Sequence, residues 1–139
     1  MKIEIMSREE ARRFSFAPHE GRIAVISISD CDKEFPNLSN HPMNGIVARC
    51  KLHFDDVDTG GENCITDCDA RAIVSFATGN RSADKLIVHC EAGISRSAGV
   101  AAAIMKAWNG DDGPVFNNPR YMPNMTCYRK VLSALNEIS

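Results

Sequence analysis

The stretch between residues 85 and 108 restricts the fold of this chain most. Lys85-Leu86-Ile87-Val88-His89 is an aliphatic, β-branched run of strand length, apolar enough to be covered on both faces. Ser97 to Trp108 (SAGVAAAIMKAW) is apolar almost all round, and Asn109-Gly110 supplies a C-terminal stop. A helix without a polar stripe must be enclosed on most sides. A buried strand, a tight loop and a buried helix therefore follow one another directly, which demands a layered α/β architecture.

The rest of the chain agrees with that frame. Ile3 to Met6 reads as a short edge strand, and Ser7-Arg8-Glu9-Glu10 as a capping box opening a helix through about Phe14. Arg22 to Ser29 reads as a central strand ended by Asp30, and residues 31–45 as a Pro/Asn/Ser loop. Ile46 to Phe54 is expected to supply one or two strand pieces, closing on an acidic turn from Asp55 to Gly61. Thr66 and Asp69 suggest a second cap, before a helix burying Ala72, Ile73 and Phe76 and stopping at Gly79. Residues 110–123 read as loop. Asn124 then caps a last helix whose face is Tyr128, Val131, Leu132, Leu135 and Ile138. Strands alternating with helices over 139 residues predict one domain, 1–139, built on a largely parallel sheet of four or five strands flanked by helices.

Charge narrows the function. Sixteen basic and eighteen acidic residues give a net charge of −2, so no global positive field gathers nucleic acid or anionic membrane. Neither a nucleic-acid nor a membrane partner is expected. The apolar run from Ala98 to Met105 falls far short of the roughly 18 residues of a membrane span. The start, MKIEIMSREEARR, has no apolar h-region, so a cytoplasmic setting is expected. Six cysteines there read mostly as small buried apolar residues rather than disulfides. Cys50-x2-His53 with Cys64-x3-Cys68 is a weak zinc pattern, because Cys64 and Cys68 suit one helix face equally well.

The chemistry concentrates in His89-Cys90-Glu91-Ala92-Gly93-Ile94-Ser95-Arg96-Ser97. Where a helix begins, several backbone amides lack intrahelical partners, and with the helix dipole they make an anion site. The six amides from Glu91 through Arg96 are enough to wrap three phosphoryl oxygens, and Gly93 lets the backbone turn inward with no Cβ in the way. A cysteine at the loop's first position is favoured as thiolate by the same donors. Arg96 brings a planar fork that holds two phosphoryl oxygens.

Cys-x5-Arg, preceded by His89 and followed by Ser97, resembles the signature of the cysteine-dependent protein tyrosine phosphatases, and HCEAGISRSAG is most similar to their compact dual-specificity branch. The resemblance spans residues 46–108. It implies a tyrosine-phosphatase-like fold and phosphomonoester hydrolysis without metal or other cofactor. Cys90 would attack phosphorus and form a phosphocysteine. Arg96 would bind the phosphate and stabilise the transition state, Ser97 would help the sulfur leave, and His89 would tune the thiol through loop hydrogen bonds.

The family's general acid is an Asp on a mobile loop some thirty residues before the cysteine. Asp55, Asp56 and Asp58 stand at that distance here. The resemblance favours Asp56, with Asp58 the runner-up and Asp55 orienting the loop. The sequence lacks a Trp-Pro-Asp loop and is too short for a deep tyrosine-recognition loop, so phosphoserine and phosphothreonine join phosphotyrosine as expected protein substrates. Glu91 would repel a phosphoinositide headgroup. A monomer is expected.

Other readings stay open at this point: a nucleotide or RNA 5′-phosphate substrate, sulfur-transfer or arsenate-reductase chemistry, and a silent phosphate-binding module. Arg120 is a candidate for the edge of the site, and Cys31, Cys50 or Cys127 for an oxidised partner of Cys90. The bland reading of the acidic turn is a solvated surface, and of His19, His41 and His53 plain loop residues.

Overall fold

Seven residues of the second strand, Ile23–Ser29 (β2), are all buried, which only an interior strand with both faces covered allows. The computed structural model describes residues 1–137. Lys2–Met6 forms β1, Arg8–Ser15 α1, Ile46–His53 β3, Asp67–Gly79 α2, Lys85–His89 β4, Arg96–Asn109 α3, Gly113–Phe116 α4 and Met125–Glu137 α5. The four strands make one sheet in the order β1-β4-β2-β3, and all three pairings are parallel. Among the described residues no helix is long and apolar enough to cross a membrane.

Alternation along β2 and β4 sorts two cores. Ile23, Val25 and Ile87 face one side, where they pack with Met6 and with Ala11 and Phe14 of α1. Ala24, Ile26, Ile28, Leu86 and Val88 face the other, beneath α2, α3 and α5. The helix α3 lies at the centre of that second layer, buried without interruption from Arg96 to Ile104.

Local signals start the helices. Ser7 and Glu10 form a reciprocal capping box on α1 (3.1 and 3.0 Å), and Thr66 and Asp69 do the same for α2 (3.0 and 2.9 Å). The buried face of α2 differs from the expected one. It consists of Ala70, Ile73, Val74 and Ala77, an i, i+3, i+4, i+7 stripe, while Ala72 is exposed and Phe76 only partly buried. Residues 110–123 are also less irregular than expected, because Pro114 near the start of α4 nucleates one short turn there. The last helix buries Cys127, Val131, Ala134 and Leu135, with Tyr128 and Leu132 at the margin; Ile138 lies outside the described residues. Of the six cysteines, Cys64, Cys90 and Cys127 are buried and Cys50 is half-buried. Cys31 and Cys68 are exposed, so the packing reading holds for only part of the set.

Two packing details bear on stability. A Cβ added at Gly99 of α3 would collide with the Asn124 carbonyl and sit 3.1 Å from Cys127 Cβ, so α3 and α5 cross at a distance only glycine permits. His89, fully buried, is in register with Ser27 on β2, and its Nε2 lies 2.7 Å from Ser27 Oγ. Burial pushes its imidazole down from 6.5 to about 4, so the ring is neutral at pH 7.

Gly99→Ala is expected to cost about 1–3 kcal/mol in urea unfolding, by overpacking. Gly79→Ala, where an added Cβ meets open space, is expected to be neutral or stabilising. For His89 the folded pKa lies below the unfolded one, so the unfolded chain binds more protons as pH falls from 6.5 towards 4. Stability carried by this residue is therefore present at pH 7 and declines by about 2 kcal/mol at pH 4.5. Urea titrations of wild type and His89→Gln at both pH values check this: the variant should show a shallower acid loss.

Candidate active site

In a parallel sheet every strand ends on the same side, and ligands gather outside those carboxyl ends. Here β4 runs into the 90–95 loop, β2 into Asp30, and β3 into Phe54 and the acidic turn. These segments border one cleft of about 840 Å³, lined by Asp30, Asp56, Asp58, Cys90, Arg96 and Asn124, among others.

The loop is built with its carbonyls turned outward. Glu91 O accepts from Arg8 N (3.0 Å), Ile94 O from Met122 N (3.0 Å), and Ser95 O from both Asn124 N and Gly99 N (2.9 Å each). Among the described residues, the amides of residues 91–95 donate to no protein acceptor. Gly93 makes this path possible. Its φ is +69°, and an added Cβ would stand 2.6 Å from Ser7 N and 2.7 Å from the Met6 carbonyl carbon. The loop thus leans on the β1–α1 junction. Ser95 precedes α3 but does not cap it; its hydroxyl donates to Asp56 Oδ1 at 2.8 Å instead. The first-turn amides of a deeply buried helix are thereby left to an external acceptor.

Cys90 is 2% exposed, and its Sγ lies 3.1 Å from Ser97 Oγ. Arg96, 4% exposed, has its guanidinium held by one nitrogen: Nη1 donates to the Phe54 carbonyl (2.7 Å) and pairs with Asp30 Oδ1 (2.7 Å). Its Nε is buried with no hydrogen-bond partner. An unsatisfied buried guanidinium N–H is costly, and an oxyanion in the cleft would satisfy it.

The three aspartates separate cleanly. Asp56 lines the cleft, and its Oδ1 accepts from Ser95 Oγ and from Asn124 Nδ2 (2.9 Å), which fixes the carboxyl. Asp58 also borders the cleft, but its Oδ1 accepts from Thr126 N (3.0 Å) and its carbonyl from Thr126 Oγ1 (2.7 Å), clamping the start of α5. Asp55 turns away and accepts from Cys31 N (2.9 Å), joining the acidic turn to the loop after β2.

Residues around the site carry more than their local sequence suggests. Asp30 reads simply as the end of a strand, yet it borders the cleft and grips Arg96. Its position at the carboxyl end of a central parallel strand was the available signal. Asn124 reads as a helix cap, and its Oδ1 does accept from Cys127 N (3.0 Å); its amide also holds Asp56 and the Val57 carbonyl (3.1 Å). Ser27 Oγ accepts from Arg49 Nε (2.8 Å) while contacting His89, so the strand end beneath the loop is hydrogen-bonded to the sheet.

The other candidates lie elsewhere. Arg120 pairs with Glu10 of α1 (3.3 Å) outside the cleft. His53 Nδ1 lies 3.1 Å from the Asp30 carbonyl, and its ring packs against Phe35. His19 stacks on Phe14. Cys127 is buried beneath the site, and burial raises its thiol pKa far above the ordinary value. Among the described residues no group of three or more His, Cys, Asp or Glu is arranged to hold a metal ion.

No family model and no curated protein matches the chain. Solved structures do. Human DUSP28 aligns over 99% of this chain and 95% of its own at 17% identity, with a TM-score of 0.65. PTPMT1, solved in complex with PI(5)P, aligns over 99% and 92% at 18% identity and a TM-score of 0.57. The human tyrosine phosphatase-like serine/threonine/tyrosine-interacting protein covers 85% of this chain and 76% of its own at 20% identity and 0.55. The parallel sheet, the flanking helices and these alignments together give this chain the tyrosine-phosphatase-like fold.

Proposed function

We propose that this chain is a cysteine-dependent phosphatase, one domain acting in the cytoplasm on phosphorylated protein, with phosphotyrosine preferred over phosphoserine and phosphothreonine. The observation that carries this reading is the set of amides at residues 91–95 without a protein acceptor, in the loop that runs from Cys90 to Arg96 with its buried, unsatisfied Nε, read together as one bowl of donors. Such a bowl suits a tetrahedral oxyanion bearing negative charge on three oxygens.

Cys90 Sγ, as thiolate, attacks phosphorus and the ester oxygen departs with the bond's electron pair. Asp56 gives that oxygen a proton. The phosphoryl group is then on sulfur, held by the loop amides and Arg96. Water attacks it next, surrendering a proton to the Asp56 carboxylate, and Cys90 leaves as thiolate with Ser97 Oγ beside it to stabilise the charge. Asp30 and the Phe54 carbonyl hold Arg96 by Nη1, which leaves the Nε side of the fork for phosphate. No step needs a metal.

The mouth of the cleft supports an aryl substrate. Ile94 is 38% and Met122 75% exposed, and the bond between their backbones keeps both beside the loop. Apolar side chains there suit a phosphotyrosine ring. The alternative is a phosphoinositide, for which the likeness to PTPMT1 with PI(5)P is the supporting observation. Asp30, Asp58 and Glu91 around the cleft weigh against so anionic a headgroup.

Cys90→Ser is expected to abolish phosphate release from p-nitrophenyl phosphate while orthovanadate still protects the protein in thermal melts. Asp56→Asn should slow a phosphotyrosyl peptide by about 10²–10⁴. It should slow p-nitrophenyl phosphate much less, because that leaving group needs little protonation. Equal losses on both would place the acid elsewhere, and turnover by the Cys90→Ser protein at the wild-type rate would exclude the thiol mechanism. Inertness of wild type towards every phosphoester would favour the silent binding module. Persulfide transfer unaffected by Asp56→Asn would favour sulfur chemistry.

A further inference from the structure

We propose that the cleft selects phosphotyrosyl peptides with Lys or Arg immediately beside the phosphoresidue; the inference rests on the phosphatase reading and adds a charge preference to it. On that reading the phosphoryl group sits at the buried, unpartnered Nε of Arg96. Around that point the cleft wall carries the carboxylates of Asp30, Asp58 and Glu91, the proton-bearing Asp56, and one cation, Arg96 itself.

Arg96 has no charge to spare for the rest of a substrate. It is buried, its Nη1 is engaged by Asp30 and Phe54, and its remaining side faces the phosphate position. Lys33 pairs with the rim, 3.8 Å from both Asp30 Oδ2 and Glu91 Oε1, and its side chain is half exposed. One loosely held ammonium between two carboxylates leaves the rim net negative. Asp58 is tied to Thr126 N, which neutralises no charge; Asp56 holds the proton for the leaving oxygen and adds no charge to the rim.

A bound phosphotyrosine spends the loop amides and Arg96 on its own dianion. Whatever flanks it meets Glu91 and Asp58, both exposed, with the apolar lip of Ile94 and Met122 alongside. A basic neighbour finds an opposite charge on that rim. An acidic neighbour, or the second phosphate of an inositol headgroup, finds a like charge.

Two phosphotyrosyl peptides that differ only in Lys or Glu on either side of the phosphoresidue test this, with p-nitrophenyl phosphate and PI(5)P measured beside them. At low ionic strength kcat/KM is expected to be roughly tenfold higher for the Lys peptide, shrinking towards unity at about 0.5 M salt. Glu91→Lys should reduce or reverse the ratio. The ratio is the readout because Glu91 also belongs to the phosphate loop. Equal rates on both peptides, a preference for the Glu peptide, or faster hydrolysis of PI(5)P would overturn the charge inference and leave the phosphatase reading standing. Failure on p-nitrophenyl phosphate as well as on all the others would overturn both.

Discussion

Everything at the site depends on keeping the backbone N–H groups of residues 91–95 free of protein acceptors. Backbone N–H groups in folded proteins normally find protein partners. Here the surrounding structure holds the loop by its other side. Carbonyls of Glu91, Ile94 and Ser95 are bound by amides from three separate segments, and Gly93 rests on the Met6–Ser7 backbone with no room for a side chain. The path of the loop is therefore set by protein contacts before any anion arrives. That is the condition under which electrostatic stabilisation costs no reorganisation during reaction.

The same logic extends outward to the carboxylates. Asn124 joins three parts of the molecule: it caps α5 through Oδ1, holds Asp56 and Val57 through Nδ2, and ties Ser95 through its backbone. The acidic turn is thus latched to α5, and α5 is seated against α3 by the close crossing at Gly99. Helix packing is in this way transmitted to the placement of Asp56 relative to Cys90. Asp30 plays the matching part for Arg96, fixing one nitrogen of the fork so that the others are presented together.

What was legible in the sequence was local. The strand–loop–helix unit around Cys90 announces itself because hydrophobic pattern, glycine position and helix start all lie within one short stretch, and both capping boxes are written in four consecutive residues. The cleft's other walls come from chain segments far apart in sequence. Asp30 meets Arg96 because parallel pairing brings strand ends to one side, and Asn124 meets Asp56 because the start of α5 is packed beside the acidic turn. No spacing rule encodes that. The face of α2 differs from the expected one for a related reason: Ala72 and Phe76 look apolar, yet the stripe that meets the core is Ala70, Ile73, Val74 and Ala77, with Phe76 packed at its margin. Cys31 and Cys68 are the exceptions to the packing reading, since cysteine's usual burial says nothing about a particular exposed turn or helix edge.

The central claim is that the 90–96 loop is a preformed oxyanion bowl with sulfur at its base. A crystal structure of the protein with orthovanadate tests it directly. The account predicts vanadium bonded to Cys90 Sγ, its equatorial oxygens accepting from the loop amides and from Arg96 Nε. Vanadate bound away from Cys90, or a loop whose amides turn outward to solvent while the sulfur points into the α2–α5 layer, would contradict it.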